Sequence, residues 1–205
     1  EGGAGLSTGL VYAPAMHAQP EEIQALAKVV ARRGGIYATH MRSEGGKLLE
    51  AIDEALDVAR ASGVRLQISH LKTAGRANWG KLDAALEKIR AARAAGVEVA
   101  SDRYPYTASC TDLDVILPTW AAQGGRAAIL ARLRDPAERA KIRAEMAAAR
   151  DEKYWENVWI GSVRHPDNAP FAGKPIALAA EAWKLHPLDA ALRFMEKDEL
   201  FTGGI

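Results

Sequence analysis

Apolar residues along the first half of the chain follow two spacings in turn, one typical of helices and one typical of strands. Helical spacing predicts three helices, over about residues 20–33, 46–62 and 79–95. Short β-prone runs lie before, between and after them, at residues 5–12, 36–40, 64–70 and 97–102. On the first helix Ile23, Leu26, Val29 and Val30 share one face, which we expect to be buried. The pattern therefore predicts strands and helices in alternation.

The strand ends recur at a nearly constant interval. Thr8, His40, His70 and Asp102 mark four successive ends, separated by 32, 30 and 32 residues. A repeating strand–helix unit requires a parallel sheet with right-handed crossovers. The interval suits a TIM (β/α)8 barrel, in which eight units take roughly 250 residues. Four strands cannot close a barrel, so the predicted fold class is α/β, a partial TIM barrel.

The repeat ends near Tyr106, and the rest of the chain has a different pattern. Residues 1–106 are predicted to form the βα units. Residues 107–160 are rich in helix-forming residues and indicate an insertion, a candidate lid. Residues 161–205 are predicted to return to barrel helices and to stop before the last strand. The sequence thus predicts three parts rather than one uniform repeat.

The composition limits the possible partners. The 205 residues are 48% hydrophobic and 26% charged, with a net charge of +1. A nearly neutral chain gives no reason to expect nucleic acid or an anionic membrane as partner. No run of 18 apolar residues predicts a membrane span. Cys110 is the only cysteine, so no internal disulfide can form, and we expect a cytoplasmic protein.

Two histidines stand at the ends of consecutive predicted strands. His40 follows Ile-Tyr-Ala-Thr, and His70 follows Leu-Gln-Ile-Ser. Their imidazoles are expected side by side at the rim where α/β enzymes place their chemistry. A catalytic zinc usually needs three protein ligands and a water, so the pair would be part of a metal site. Two structural histidines bonded to backbone carbonyls remain the alternative.

A cation lies two residues beyond each histidine, namely Arg42 and Lys72. Positions i and i+2 of an extended chain point to the same side, so both could face the rim and bind a carboxylate. The alternative, above all for Arg42, is an ion pair with a nearby acidic residue. At the next strand end, Asp102 could orient a group beside a ligand and Tyr104 could donate to an oxyanion, or this segment could be a turn with packing aromatics.

Several blocks of sequence resemble one family. The blocks are GAGLSTGLVYAP, YATHMRSEGGKLLEAIDEAL, LQISHLKTAGRANWGK, DRYPYTASCT and LPTWAAQGG. Together they resemble the N-acyl-D-amino-acid deacylases, or D-aminoacylases, of the amidohydrolase superfamily. The resemblance implies a zinc-dependent enzyme that hydrolyses small N-acyl-D-amino acids to a D-amino acid and a carboxylate. It also implies a TIM barrel with a small β-sandwich.

The resemblance assigns roles to individual residues. His40 and His70 match zinc-binding histidines of the fifth and sixth barrel strands. Lys72, Tyr104 and Ser109 fall where the family places substrate-contacting groups, with Lys72 as the carboxylate holder. Residues 107–160 match a mobile insertion over the active site. Ser109 has no His–Asp pattern beside it, so a nucleophilic role is not expected.

Three other elements of the family pattern have no counterpart in this sequence. These are a His-x-His on the first strand, a metal-binding cysteine, and the aspartate of a Ser-Asp-Gly motif, the expected general base, which would lie beyond the chain end. The expectation is a central fragment that needs the remainder of the barrel for closure, binds zinc weakly and is inactive alone. Two alternatives are a hydantoinase-like cyclic-amide hydrolase and a non-catalytic half-barrel that serves as a binding or assembly module.

Overall fold

The structure, a computed structural model, describes residues 3–205, so the first two residues of the predicted βα region lie outside it. The chain divides into two compact units, the first ending at Pro105 and the second covering Tyr106–Ile205. The division lies one residue before the predicted end of the repeat. Each unit has a hydrophobic core of its own.

The first unit contains the predicted parallel sheet. Its strands, in the spatial order β1-β2-β3-β4, are β1 Gly5–Gly9, β2 Ile36–His40, β3 Arg65–Ile68 and β4 Val99–Ser101. The helices between them are α1 Pro20–Ala31, α2 Leu48–Ser62 and α3 Leu82–Ala94. All three strand pairs are parallel, so the topology predicted from the repeat is confirmed. Consecutive strand ends therefore meet at one rim.

The predicted buried face of α1 is only partly correct. Ile23 is buried and Val30 is half-buried against the same core, whereas Leu26 and Val29 are 48% and 51% exposed. Ala27, one turn after Ile23, is also buried. Residues four apart lie above one another on a helix, and Ile23 and Ala27 form such a pair. The helix packs with this narrow stripe against α2, β1 and β2. Large apolar residues outside the stripe remain exposed to solvent.

The second unit combines helices with a small antiparallel sheet. Its strands are β5 Thr111–Asp112, β6 Trp159–Ile160, β7 Lys174–Pro175 and β8 Gly203–Gly204, in the order β5-β8-β6-β7. Its helices are α4 Gly125–Arg134, α5 Pro136–Ala149, α6 Ile176–Trp183 and α7 Pro187–Lys197. Short 3-10 helices occur in both units, at Ala15–His17, Arg76–Lys81, Leu113–Ile116, Glu152–Asn157 and Pro166–Phe171.

One core joins both predicted parts of the second unit. Ile142 and Met146 of α5 belong to the same buried cluster as Phe194 and Met195 of α7. Ile160 of β6, which pairs with both β7 and β8, is fully buried in it. Residues on both sides of position 160, where the sequence places a boundary, therefore belong to one buried cluster. The role of residues 107–160 as a mobile insertion stays a prediction. None of the helices in residues 3–205 is both long and apolar enough to cross a bilayer.

The start of α5 offers a simple test of local stability. Asp135 accepts hydrogen bonds from the backbone N–H groups of Ala137 and Glu138, both at 2.9 Å, and Pro136 begins the helix. Asp135→Ala should lower the free energy of unfolding of this unit by about 1 kcal/mol, because these donors lose their cap. Urea unfolding measures the change. Asp135→Asn, which keeps a capping oxygen, is the control and should stay near wild type.

Candidate metal centre

The two predicted histidines meet at the rim of the parallel sheet. His40 is the last residue of β2, and His70 follows β3 by two residues. His40 Nδ1 lies 2.6 Å from His70 Nε2, and the ring centroids are 4.4 Å apart. The backbone holds this pair in place, because the N–H of Ser69 donates to the carbonyl of Thr39. The sequence prediction that the imidazoles lie side by side is confirmed.

His70 adopts an uncommon backbone conformation, with φ at +43°. A side chain other than glycine is disfavoured there, so the surroundings must hold the turn. Asp102 does so, since its Oδ1 accepts from the N–H of His70 at 2.7 Å and its Oδ2 accepts from Gln67 Nε2 at 2.6 Å. The backbone N–H of Leu71 donates to the carbonyl of Asp102. Asp102 thus orients His70 through its main chain.

A glutamate that the sequence analysis did not single out completes the cluster. Glu44 Oε1 lies 2.6 Å from His70 Nδ1 and 2.5 Å from Lys72 Nζ. Lys72 Nζ is also 2.9 Å from His70 Nδ1 and 5.4 Å from the ring centroid of Tyr104. The sequence left open an ion pair between Lys72 and an unspecified acidic residue nearby. Glu44 is that residue. Glu44 follows His40 by only four residues in the sequence, and this proximity is the signal that could have identified it as a neighbour of the histidine pair.

The electrostatic surroundings favour neutral imidazole at His40. Burial lowers the pKa of His40 below its usual value, and the neighbouring His70 lowers it further. A neutral imidazole offers a ring nitrogen with a free lone pair, which is the form that binds a metal. The lowered pKa of His40 thus favours the neutral form, which is the form that a zinc ligand takes.

Arg42 makes its hydrogen bonds with residues outside this cluster, and its predicted role in binding a substrate carboxylate stays a prediction. Its Nε and Nη2 donate to the carboxylate of Glu54 on α2, with a shortest distance of 2.7 Å. Its Nη1 donates to the carbonyl of Met16, and its Nη2 also donates to that of Ala18. All three guanidinium nitrogens are engaged, so the ion-pair alternative holds for Arg42. Its role is to fix the segment after β1 against α2.

Ser109 lies apart from these residues along the chain. It is exposed on the segment that precedes β5, in the second unit, whereas Tyr104 belongs to the first unit. Its predicted contact with substrate therefore stays a prediction.

The residue types at the rim are ones that zinc sites use. Two imidazole nitrogens from adjacent strands converge, and both belong to the ligand class that zinc prefers. Among residues 3–205 no group of three His, Cys, Asp or Glu side chains is arranged to hold a metal. A catalytic zinc needs at least one more protein ligand. The arrangement is consistent with half of a metal centre rather than a complete one.

Comparison with known proteins shows which sequences the chain resembles. No protein-family model matches the chain. N-acyl-D-glutamate deacylase of Alcaligenes xylosoxydans xylosoxydans is 45% identical over 122 residues, which is 60% of this chain and 24% of that protein. D-aminoacylase of the same organism is 42% identical over 112 residues, 55% of this chain and 23% of that protein. The chain is thus similar in sequence to N-acyl-D-amino-acid deacylases over somewhat more than half of its length.

Solved structures extend the relationship to nearly the whole chain. The N-acyl-D-glutamate deacylase of Bordetella bronchiseptica, crystallised with zinc and a phosphonate mimic of the tetrahedral intermediate, superposes with a TM-score of 0.74 at 28% identity. A D-aminoacylase that defines a subset of amidohydrolases superposes with a TM-score of 0.69 at 27% identity. Each match covers 99% of this chain and 34% of the solved one. The chain spans about a quarter of the curated relatives and a third of these structures, and the resemblance to the family is confirmed.

Proposed function

We propose that the chain supplies two zinc ligands and the carboxylate pocket of an enzyme that hydrolyses N-acyl-D-amino acids. The observation that carries the proposal is the 2.6 Å approach of His40 Nδ1 and His70 Nε2 at adjacent strand ends, with Lys72 beside them. The parallel sheet then corresponds to about the fourth to the seventh strand of a (β/α)8 barrel. The remaining strands and ligands would come from outside these residues.

Each residue of the cluster has a distinct task in this proposal. His40 and His70 would hold a zinc ion, which when bound would supply polarisation of the amide carbonyl and activation of a water. Lys72, whose side chain is 16% exposed, provides a positive charge for the substrate carboxylate. Tyr104 borders the same ammonium group. Glu44 already neutralises Lys72, so a substrate carboxylate must compete with it. The chain therefore contributes binding and orientation.

The chain by itself should bind zinc weakly and release no amino acid from N-acetyl-D-methionine. Two imidazoles are too few to hold and activate a catalytic zinc, which needs three protein ligands. Titration with zinc and a ninhydrin assay of product measure the two properties. A tightly held, stoichiometric zinc together with turnover would contradict this expectation.

A chimera tests the proposed activity directly. The chain would replace the segment of the Bordetella bronchiseptica N-acyl-D-glutamate deacylase onto which it superposes. We expect hydrolysis of the N-acyl-D-amino acid, since the host supplies the rest of the barrel, and no hydrolysis of the L-enantiomer. The matched control is the same chimera with His70→Ala, which should be inactive. A folded chimera that binds zinc but hydrolyses neither enantiomer would count against the proposal.

A further inference from the structure

Gln67 has a position at the rim to which neither the sequence nor the proposed reaction assigns a task. It lies on β3, three residues before His70, and its Nε2 donates to Asp102 Oδ2 at 2.6 Å. Resting on the proposed zinc site, we propose that Gln67 is a positioning residue: it fixes the Asp102 carboxylate, which in turn holds His70 in the conformation that brings its imidazole against His40.

The turn after β3 has three successive backbone N–H groups, each with its own acceptor. Ser69 donates to the carbonyl of Thr39 on β2 at 3.0 Å, and Leu71 donates to the carbonyl of Asp102 at 2.9 Å. Between them His70 has φ at +43°, and its N–H donates to a side chain, Asp102 Oδ1, at 2.7 Å. A residue other than glycine is disfavoured in this conformation, so the groups around it must hold it there. One carboxylate oxygen thus holds the backbone of His70.

A carboxylate can hold this turn only if it keeps one orientation. Asp102 is an exposed residue, so its side chain could otherwise turn and bond with water. Gln67 Nε2 binds the second oxygen, Oδ2, while Oδ1 accepts from the N–H of His70. The two bonds engage both oxygens and fix the plane of the carboxylate. Gln67 therefore acts on His70 through Asp102.

The register of the sheet explains why a glutamine reaches Asp102. Gln67 pairs with Ala38 on β2 and with Ala100 on β4, and both neighbours have small side chains. Asp102 lies two residues after Ala100, and its N–H donates to the carbonyl of Ile68 at 3.2 Å, so the pairing with β3 continues to this residue. Side chains two residues apart on a strand point to the same face. A long side chain at position 67 can therefore extend past Ala100 to the carboxylate.

The contacts of the Gln67 amide require a donor at this position. Its Nε2 also donates to the carbonyl oxygen of Ile68 at 3.4 Å, so both groups that it contacts are acceptors. The amide nitrogen carries two N–H donors, whereas the amide oxygen could only accept and would repel both partners. Removing the donor while keeping the length of the side chain is therefore the appropriate test.

Two variants with an unchanged net charge test this role in the 205-residue chain. Gln67→Met keeps a long side chain and removes the donor. The double variant, Gln67→Glu with Asp102→Asn, exchanges donor and acceptor. Its carboxylate at position 67 can accept from the new amide at position 102, whose oxygen can still accept from the N–H of His70. The matched control is Gln24→Met, which makes the same change on helix α1.

Hydrogen exchange of the His70 backbone N–H, followed in ¹H–¹⁵N spectra without metal, is the first measurement. We expect exchange about 3- to 10-fold faster in Gln67→Met, as for the loss of one hydrogen bond, and a rate near wild type in the double variant and in the control. The midpoint of urea unfolding should be the same in all four proteins, because none of the substituted residues is buried. An unchanged exchange rate in Gln67→Met, fast exchange in the double variant, or a lowered midpoint in Gln67→Met would overturn the inference.

Zinc affinity is the second measurement. An imidazole that is no longer held in place should bind the metal less well, so we expect Gln67→Met to lower the affinity by about 3- to 10-fold and the double variant to restore it. If the wild type binds no zinc, the proposed function fails, while hydrogen exchange still decides the role of Gln67. Equal zinc affinity of the wild type and Gln67→Met overturns this inference and leaves the proposed function standing.

Discussion

Replacing His40 and His70 together by alanine is expected to abolish zinc binding by the chain. Each single replacement should lower the affinity for zinc by more than about 100-fold. Loss of a group that merely hydrogen-bonds to a metal-binding histidine already lowers metal affinity by about 10- to 100-fold, and loss of the ligand itself should cost more. The physical reason is that the two nitrogens 2.6 Å apart are the convergent pair at this rim. With one imidazole left, a zinc ion would be held by a single strong ligand.

Competition with a chromophoric chelator measures these affinities. The matched control is His186→Asn, which removes a histidine from the second unit. His186 Nδ1 accepts from the N–H of Leu188 at the start of α7, and asparagine can serve as the same cap. The control should bind zinc as the wild type does. Equal affinities for the wild type and both single alanine variants would refute the metal centre.

The sequence identified this pair because parallel topology brings successive strand ends together. The prediction needed only the interval of 30 residues and the rule for strand–helix repeats. Arg42 was assigned to the same site by assuming that alternation continues past the strand. Strand β2 ends at His40, so the rule no longer applies to Arg42, which reaches Glu54 instead. Alternation was valid inside the strands and failed beyond their ends.

Lys72 reaches the site for a different reason from the one predicted. His70 lies beyond the end of β3 and has a left-handed backbone conformation. A turn held by Asp102, rather than an extended chain, therefore brings the lysine beside the imidazole. Glu44 is likewise placed by a loop whose path depends on contacts with the loop after His70. Such contacts are not encoded in any local periodicity, so sequence patterns could not supply them.

The fold was predictable where a repeat was present. Strand β2 was predicted with its observed bounds, and α2 within two residues, because the helix has a continuous apolar stripe and ends at Gly63 in a left-handed conformation. In the second unit the strands are two residues long, too short to show alternation. Their pairing depends on a core assembled from distant helices. This part of the fold could not be derived from local sequence.

Asp198→Ala is expected to lower the free energy of unfolding of the second unit by about 1–3 kcal/mol, the range for leaving a buried hydrogen-bond donor without its acceptor. Asp198 is 2% exposed. Its Oδ1 accepts from the N–H of His165 at 2.7 Å and from Asn168 Nδ2 at 2.8 Å, and its Oδ2 accepts from Thr202 Oγ1 at 2.7 Å. Alanine leaves the buried amide of Asn168 without this acceptor and removes one acceptor from the partly buried N–H of His165 and from Thr202 Oγ1, which also donates to the carbonyl of Phe194.

The loss should extend to the small sheet, because Thr202 directly precedes β8 and the N–H of Gly203 donates to the carbonyl of Ser162. Urea unfolding followed by the fluorescence of the buried Trp155 measures the stability of this unit. Asp198→Asn is the matched control: its amide oxygen can still accept from His165 and Asn168, so it should lose less than half as much as alanine. A loss below about 1 kcal/mol for Asp198→Ala would contradict this prediction. It would mean that water can satisfy the donors that now bind the buried carboxylate.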